Sequence, residues 1–310
     1  MSEPVRIAIV GASGGMGKQR VAQFGADPRS RLVAACARNL DPLREVVEDP
    51  AVRLTTDPDE VYAASDVDAV VVSTCNVLHY EQVKKALAAG KHVLCEYPLV
   101  DDLERHDELV VLAREKGVVL HHSLTVRAEP HHRMLKEALP KLGEPRIAHY
   151  RYYGGTKWYV KPELRGDLFC GLHIHFIDQF VDLFGPPDRI TAHGVESDGK
   201  VSATVMMRWA SGLVGTIEFG MGFPAAPGYL GTIVTTEGWC GFAKAEALEV
   251  TVARAGERIV RPCPEDTSKD EDARSFLDEV LGAGGPLSDL ETGRNAIALS
   301  LECSRQMKLA

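Results

Sequence analysis

Roughly the first 120 residues alternate short apolar β-type runs with segments of helical period, and this grammar limits the fold more than any other feature of the chain. Arg6–Gly11 reads as a buried strand and Gly15–Phe24 as a helix. Leu32–Cys36 is the next strand, followed by a helical Asp41–Glu48 and a short strand at Val52–Thr55. Asp68–Ser73 carries Val70, Val71 and Val72 in succession, the pattern of a strand buried on both faces. Glu81–Ala89 is a helix stopped by Gly90 and Lys91–Glu96 the strand after it; Leu103–Lys116 is stopped by Gly117 before a last strand at Val118–Leu124. Strands and helices at this spacing predict an α/β domain built on a doubly wound parallel sheet.

After Arg127 the grammar changes. A helix starts with Pro130 in its first turn and ends before Gly143, Arg146–Tyr153 alternates as a strand, and Gly166–Phe184 reads as one long helix. From Asp188 to about Ala253 come several strands separated by short turns, among them Ala203–Ala210, Val214–Phe219 and Thr232–Thr236. Helices near Asp272–Leu281 and Leu287–Met307 close the chain. The pattern predicts an α+β domain with a mostly antiparallel sheet over residues 125–310, following a first domain at 1–124.

Composition narrows the function. With 35 basic against 44 acidic residues the net charge is -9, which argues against nucleic acid as a partner. No apolar run approaches the roughly 20 residues that cross a bilayer, and the N-terminus has no secretory leader pattern. The seven cysteines are odd in number and scattered, with Cys36, Cys75 and Cys95 in apolar runs, so reduced thiols in a cytoplasm are expected. The partner expected is a small molecule.

Between the first strand and the first helix stands Gly11-Ala12-Ser13-Gly14-Gly15-Met16-Gly17. Glycines there let the backbone turn tightly and approach a pyrophosphate, whose charge the helix N-terminus favours. Spaced Gly-x-x-Gly-x-x-Gly, it reads as the phosphate loop of a Rossmann domain, the other reading being a tight strand-to-helix turn without a ligand. NAD-binding units end the second strand with an acid that grips the ribose 2′-hydroxyl. Here that end reads Ala35-Cys36-Ala37-Arg38-Asn39, so Arg38 pairs with a 2′-phosphate, stacks on the adenine, or faces solvent. The first alternative, with help from Ser13, favours NADP(H) over NAD(H).

Four features together resemble the Gfo/Idh/MocA family of oxidoreductases: the glycine loop, Ser73-Thr74-Cys75-Asn76-Val77-Leu78-His79, Gly90-Lys91-His92-Val93-Leu94-Cys95-Glu96-Tyr97-Pro98, and the helix around His175. The resemblance covers essentially the whole chain, and it implies a final helix, about 287–307, that returns toward the first domain. It implies a cofactor site made by Gly11, Ser13, Gly14, Met16, Arg38, Thr74, Asn76, His79, Glu96 and Pro98, with Thr74–His79 beside the nicotinamide ribose. Ordinary capping and packing at a strand-to-helix turn is the other reading of Asn76 and His79, and the two roles can coexist. Where the family reads Glu-Lys-Pro, this chain has Glu96-Tyr97-Pro98. His175 and Asp178 match the family's His-x-x-Asp, while the acid four residues before that His is replaced by Gly171. Glu-Tyr-Pro is similar to the biliverdin reductases of the same superfamily, although His121-His122-Ser123-Leu124 and Phe176 depart from that branch.

A tyrosine near its ordinary pKa of about 10 is protonated at neutral pH and suited to donate, which favours reduction. Tyr97 or His175 therefore supplies a proton or hydrogen bond as NADPH delivers hydride, or else Tyr97 is only a wall beside the nicotinamide. Arg127 either orients an anionic group or pairs with an acid. Asp178 and Trp158, the latter in Lys157-Trp158-Tyr159, are the other candidate substrate residues; that loop covers a pocket or is merely exposed. A metal site is not expected, because His173 and His175 cannot share a helical face and no Cys-x-x-Cys or His-Glu-x-x-His appears. The reading is an NADP(H)-dependent oxidoreductase of a small organic substrate, a biliverdin-type tetrapyrrole being one candidate. A sugar or cyclitol dehydrogenase or ketoreductase, or a catalytically silent NADP-binding regulator, is the alternative. A homo-oligomer, dimer or tetramer, follows by analogy with the family.

Overall fold

Ala69–Val72 is wholly buried, as a strand covered on both faces must be, and it lies parallel to its neighbours on either side. The computed structural model describes residues 3–154, 161–222, 228–244 and 247–307. The first half runs β1 (Val5–Val10), α1 (Gly15–Ala26), β2 (Ser30–Cys36), α2 (Leu40–Arg44), β3 (Arg53–Thr55), α3 (Pro58–Ala63), β4 (Ala69–Val72), α4 (His79–Ala88), β5 (His92–Glu96), α5 (Leu103–Lys116) and β6 (Leu120–Ser123). All six strands pair in parallel in the order β3-β2-β1-β4-β5-β6. The order reverses between β1 and β4, and ligands of such sheets bind outside the carboxyl ends of the strands at that switch point.

Two details differ from the sequence reading. The helix expected over Asp41–Glu48 spans only Leu40–Arg44, and α3 is an additional helix that the periodicity does not signal. Its start signals are nevertheless complete: Asp57 accepts a hydrogen bond from the Asp59 amide, Pro58 opens the helix, and Asp59 and Glu60 fill its first turn.

The second half continues with α6 (Pro130–Ala138), β7 (Pro145–Gly154), α7 (Pro162–Arg165), α8 (Leu168–Leu172), α9 (Ile174–Phe184), β8 (Arg189–Ser197), β9 (Lys200–Arg208), β10 (Val214–Met221), β11 (Gly228–Thr235), β12 (Gly238–Lys244), β13 (Leu248–Arg254), β14 (Glu257–Pro262), α10 (Ser268–Val280) and α11 (Leu290–Gln306). Among the described residues its eight strands form one sheet, ordered β14-β13-β12-β11-β7-β10-β9-β8, with every pair antiparallel except β7 and β10, which run parallel. Strict alternation in β9 buries Val201, Ala203, Val205 and Met207 and exposes the residues between them. That inner face packs with Phe176, Ile177 and Phe180 of α9 in one core. The single helix expected over Gly166–Phe184 is broken into α8 and α9 at His173, whose backbone (φ −123°, ψ −1°) leaves helical geometry.

The chain divides into two compact units, one holding the residues up to Thr125 together with Lys269–Arg294, the other Val126–Ser268 together with the residues from Asn295. The boundary read from sequence leaves 269–294 to the second domain. In the structure Ala273, Phe276 and Leu277 of α10 share the first unit's core with Ile7, Phe24 and Leu94, and Phe276 meets Phe24 edge-on at 6.2 Å. Cys303 and Met307, at the end of α11 and just past it, belong to the second unit's core.

Candidate active site

Two of the loop glycines are dictated by space. A Cβ at Gly11, whose φ is +92°, would lie 2.4 Å from the Ser73 carbonyl oxygen, and one at Gly17 would lie 2.1 Å from the Gly11 carbonyl oxygen. The first lets the chain turn off β1, and the last lets α1 press against the loop. At Gly15 a Cβ would meet nothing within 4 Å, and the first turn of α1 holds no acidic residue. The loop therefore leaves open backbone at a helix N-terminus, which suits a pyrophosphate. Ser13 and Met16 are half-buried at this mouth and Gly14 is exposed. The Cys36 carbonyl accepts from the Gly11 amide at 2.9 Å and the Ala12 amide at 3.1 Å, so the end of β2 is stitched to the loop. Arg38 follows two residues further on and is exposed.

Past β4, Thr74 donates its hydroxyl to Gln82 at 2.7 Å, and Asn76 opens a 3₁₀ turn that leads into α4. His79 was expected at the cofactor; in the structure its ring is wholly buried, with Nδ1 2.7 Å from the Pro98 carbonyl and Nε2 3.2 Å from the Thr74 carbonyl. Burial lowers its pKa although both carbonyls favour the protonated ring, and a neutral ring can donate to only one of the two. Glu96, also expected at the cofactor, is buried and takes Arg20 Nε on its Oε1 at 2.7 Å. Tyr97 follows β5 half-buried, joined to Pro98 by a cis bond.

Arg20 is the centre of a polar cluster that the sequence reading missed. Its side chain has no solvent exposure and reaches Asp272 at 2.7 Å and the Ser123 hydroxyl at 2.8 Å. Ser123 donates in turn to Asp272, and His121 lies between Asp272, at 3.0 Å, and Glu279. Burial alone would lower the His121 pKa, but the two carboxylates outweigh it and raise the value to about 9. Burial would raise the Asp272 pKa, yet His121, Arg20 and Ser123 hold it down at about 2. A signal was present: Gly17, Arg20 and Phe24 are the buried stripe of α1, and an arginine on a core stripe demands acids opposite.

In the second unit, Arg127 grips both oxygens of Asp178, Nε at 2.9 Å and Nη2 at 2.7 Å, and reaches Asp182 at 3.2 Å. His132 and Lys136 also hold Asp182, at 2.7 and 2.8 Å. Arg127 is thus paired with an acid here, and Asp178 is engaged with it. Burial raises the Asp178 pKa against Arg127's pull. His175 lies half-buried on α9, and His173 is stacked on Phe219 at 3.6 Å. Tyr97 belongs to the first unit and His175 to the second. Trp158 lies outside the described residues. Among the described residues no group of three or more His, Cys, Asp or Glu could hold a metal ion. A groove of about 200 Å³ on the second unit, floored by Met134, Val250, Val252 and Ile259, holds none of the candidate residues.

A model of an oxidoreductase family with an NAD-binding Rossmann fold, Gfo/Idh/MocA, matches residues 5–124, and one of the Gfo/Idh/MocA C-terminal domain matches residues 109–240. The chain is 37% identical over 173 residues to a 1,5-anhydro-D-fructose reductase of Ensifer adhaerens, covering 51% of this chain and 52% of that protein. It is 30% identical over 171 residues to a dTDP-3,4-didehydro-2,6-dideoxy-alpha-D-glucose 3-reductase of Actinomadura kijaniata, covering 54% and 49%. The matches span about half the length of these curated relatives. The fold is shared with a Synechocystis biliverdin reductase solved with biliverdin and NADP+, at a TM-score of 0.89 and 24% identity over 98% of this chain and 99% of that one.

Proposed function

Because the chain belongs to the Gfo/Idh/MocA oxidoreductase family, we propose that it is an NADP(H)-dependent reductase of a sugar or cyclitol carbonyl. The observation that carries this is the glycine-only loop at Gly11 and Gly17, tied through the Cys36 carbonyl to a strand that ends in Arg38 and no acid. The sugar class is supported by the two curated relatives, whose names both specify reductases of sugar-derived substrates.

A bound NADPH would supply the hydride. The open amides at the start of α1 would face its pyrophosphate, and Arg38 would pair with the 2′-phosphate. Tyr97 stands where the family carries lysine, and its phenol is the group we assign to meet the carbonyl oxygen, donating a hydrogen bond or proton. His175 is the other candidate donor. A tyrosine ordinarily keeps its proton to about pH 10, which suits reduction better than oxidation. Glu96 and His79 act here from inside the protein, holding the turn rather than the ligand. We further infer a homo-oligomer formed through the outer face of the second unit's sheet.

One specific observation favours a second reading: Glu96-Tyr97-Pro98 is similar to the biliverdin reductases, so a tetrapyrrole is the rival substrate. The test is a fluorescence titration with NADPH and NADH, then NADPH consumption with 1,5-anhydro-D-fructose, a cyclitol ketone and biliverdin. Selective NADPH binding with turnover of a sugar or cyclitol is the expected result. Turnover of biliverdin alone would move the assignment to the second reading, and binding without any turnover would make the chain a silent NADP-binding regulator.

A further inference from the structure

Tyr97 stands between two residues that the fold fastens from different directions. On one side, the Glu96 carboxylate is bonded to Arg20, which Asp272 and Ser123 hold from α10 and β6. On the other, the Pro98 carbonyl is held at 2.7 Å by Nδ1 of His79. The second nitrogen of His79 faces the Thr74 carbonyl at 3.2 Å, and Thr74 is itself bonded to Gln82 of α4. His79 has no solvent exposure. Both ring nitrogens therefore face backbone carbonyls, and neither points to open space.

We propose that His79, working with Arg20, is a positioning residue that fixes the turn carrying Tyr97, and that it does not touch the cofactor. The proposal rests on the reading that Tyr97 meets the substrate carbonyl. A displacement of about 1 Å in a reacting group can lower a rate on the order of a hundredfold, so a phenol in that role needs its backbone held on both sides. His79 and Arg20 supply one bond each. Arg20 is unsuited to a first test, because its removal strands Glu96 and Asp272 as buried, unpaired charges and threatens the fold. His79 can be varied more finely. In H79N the carboxamide nitrogen takes roughly the place of Nδ1 and can still donate to Pro98, whereas H79L leaves that carbonyl without its donor.

The experiment uses the full chain. Hydrogen exchange of the peptide spanning 94–101, NADPH titration by fluorescence, and NADPH consumption with 1,5-anhydro-D-fructose are measured for H79N, H79L, Y97F and Y97F with H79L. In H79L the peptide should exchange about tenfold faster and kcat should fall about tenfold, while NADPH affinity stays within about twofold. H79N should restore most of both losses. H79L should add little to the effect of Y97F, because it acts through Tyr97. Should H79L not fold, H79Q takes its place with the same prediction, since its amide reaches the Thr74 side of the ring's place. A loss of NADPH affinity of about tenfold or more, with exchange at 94–101 unchanged, would make His79 a cofactor residue and overturn the proposal. Additive losses in the double variant would overturn it as well. Wild-type turnover by Y97F would sink the Tyr97 reading instead, and the exchange and rescue results would still decide whether His79 holds the turn.

Discussion

His121 lies between Asp272 and Glu279 in a strand that is buried throughout, so its charge is part of how the first unit holds together. Its folded pKa, about 9, exceeds the unfolded reference of about 6.5, so the protonated ring binds its proton more tightly in the folded state. The stabilisation is fully present below about pH 6.5 and is lost as the pH rises through about 9. Two to three pKa units correspond to something on the order of 3 kcal/mol. Asp272 behaves in the opposite sense: with a folded pKa of about 2, its contribution is present above about pH 4 and fades toward pH 2. The two shifts are two sides of one interaction, so their energies do not add. Thermal midpoints measured across pH should therefore be highest between about pH 4 and 6.5 and decline toward pH 9. In H121Q the alkaline decline should be much reduced; a decline of wild-type steepness would place its origin elsewhere. Arg38, which we propose meets the 2′-phosphate, offers a matching test. Removing one charge-assisted phosphate contact in R38A should weaken NADPH binding about tenfold or more and leave NADH binding nearly unchanged, by fluorescence titration. Equal losses for both cofactors would remove Arg38 from the 2′-phosphate.

At the scale of the element, the glycine loop separates two jobs that the sequence motif merges. Gly17 is required by packing, since a side chain there collides with the Gly11 carbonyl, whereas the space beside Gly15 is empty. In G15A the unliganded protein should be as stable as wild type or gain up to about 1 kcal/mol from helix propensity, while NADPH affinity falls because a ligand is now obstructed. In G17A both melting temperature and affinity should fall, with a stability loss of about 1–3 kcal/mol. Thermal melts and titrations of the two variants check this, and an undiminished NADPH affinity in G15A would mean that no ligand approaches that backbone. The break at His173 shows the limit of periodicity as a guide. Apolar residues recur at helical spacing across Leu168–Phe184, so the pattern cannot register one residue leaving helical ψ between α8 and α9.

At the scale of the whole molecule, the second unit presents an open sheet face with large apolar side chains. Ile147 and Val195 are 55% and 58% exposed, and Ile147 sits directly across from Val214 and Val234 on the strands either side of β7. Contiguous apolar residues on a sheet face suit association between copies of a chain. Light scattering after size exclusion should give a dimer or tetramer, and I147D should shift it toward monomer; a monomeric wild-type protein would refute the oligomer. Sequence alone determined the elements whose cause is local or periodic: the parallel strands from continuous apolar runs, helix ends from Gly90 and Gly117, and the tight turn between β1 and α1 from its glycines. It also marked Arg38 and Tyr97 by departures from an expected residue type. Only the tertiary structure decided where the charges go. That Glu96 and His79 are turned inward, that Arg127 is paired with Asp178, and that residues 269–294 join the first unit all depend on partners far along the chain. A carboxylate or imidazole reads the same in sequence whether it faces a ligand or a buried arginine, because what distinguishes the two is the cost of burying an unpaired charge, and that is set by the folded neighbourhood.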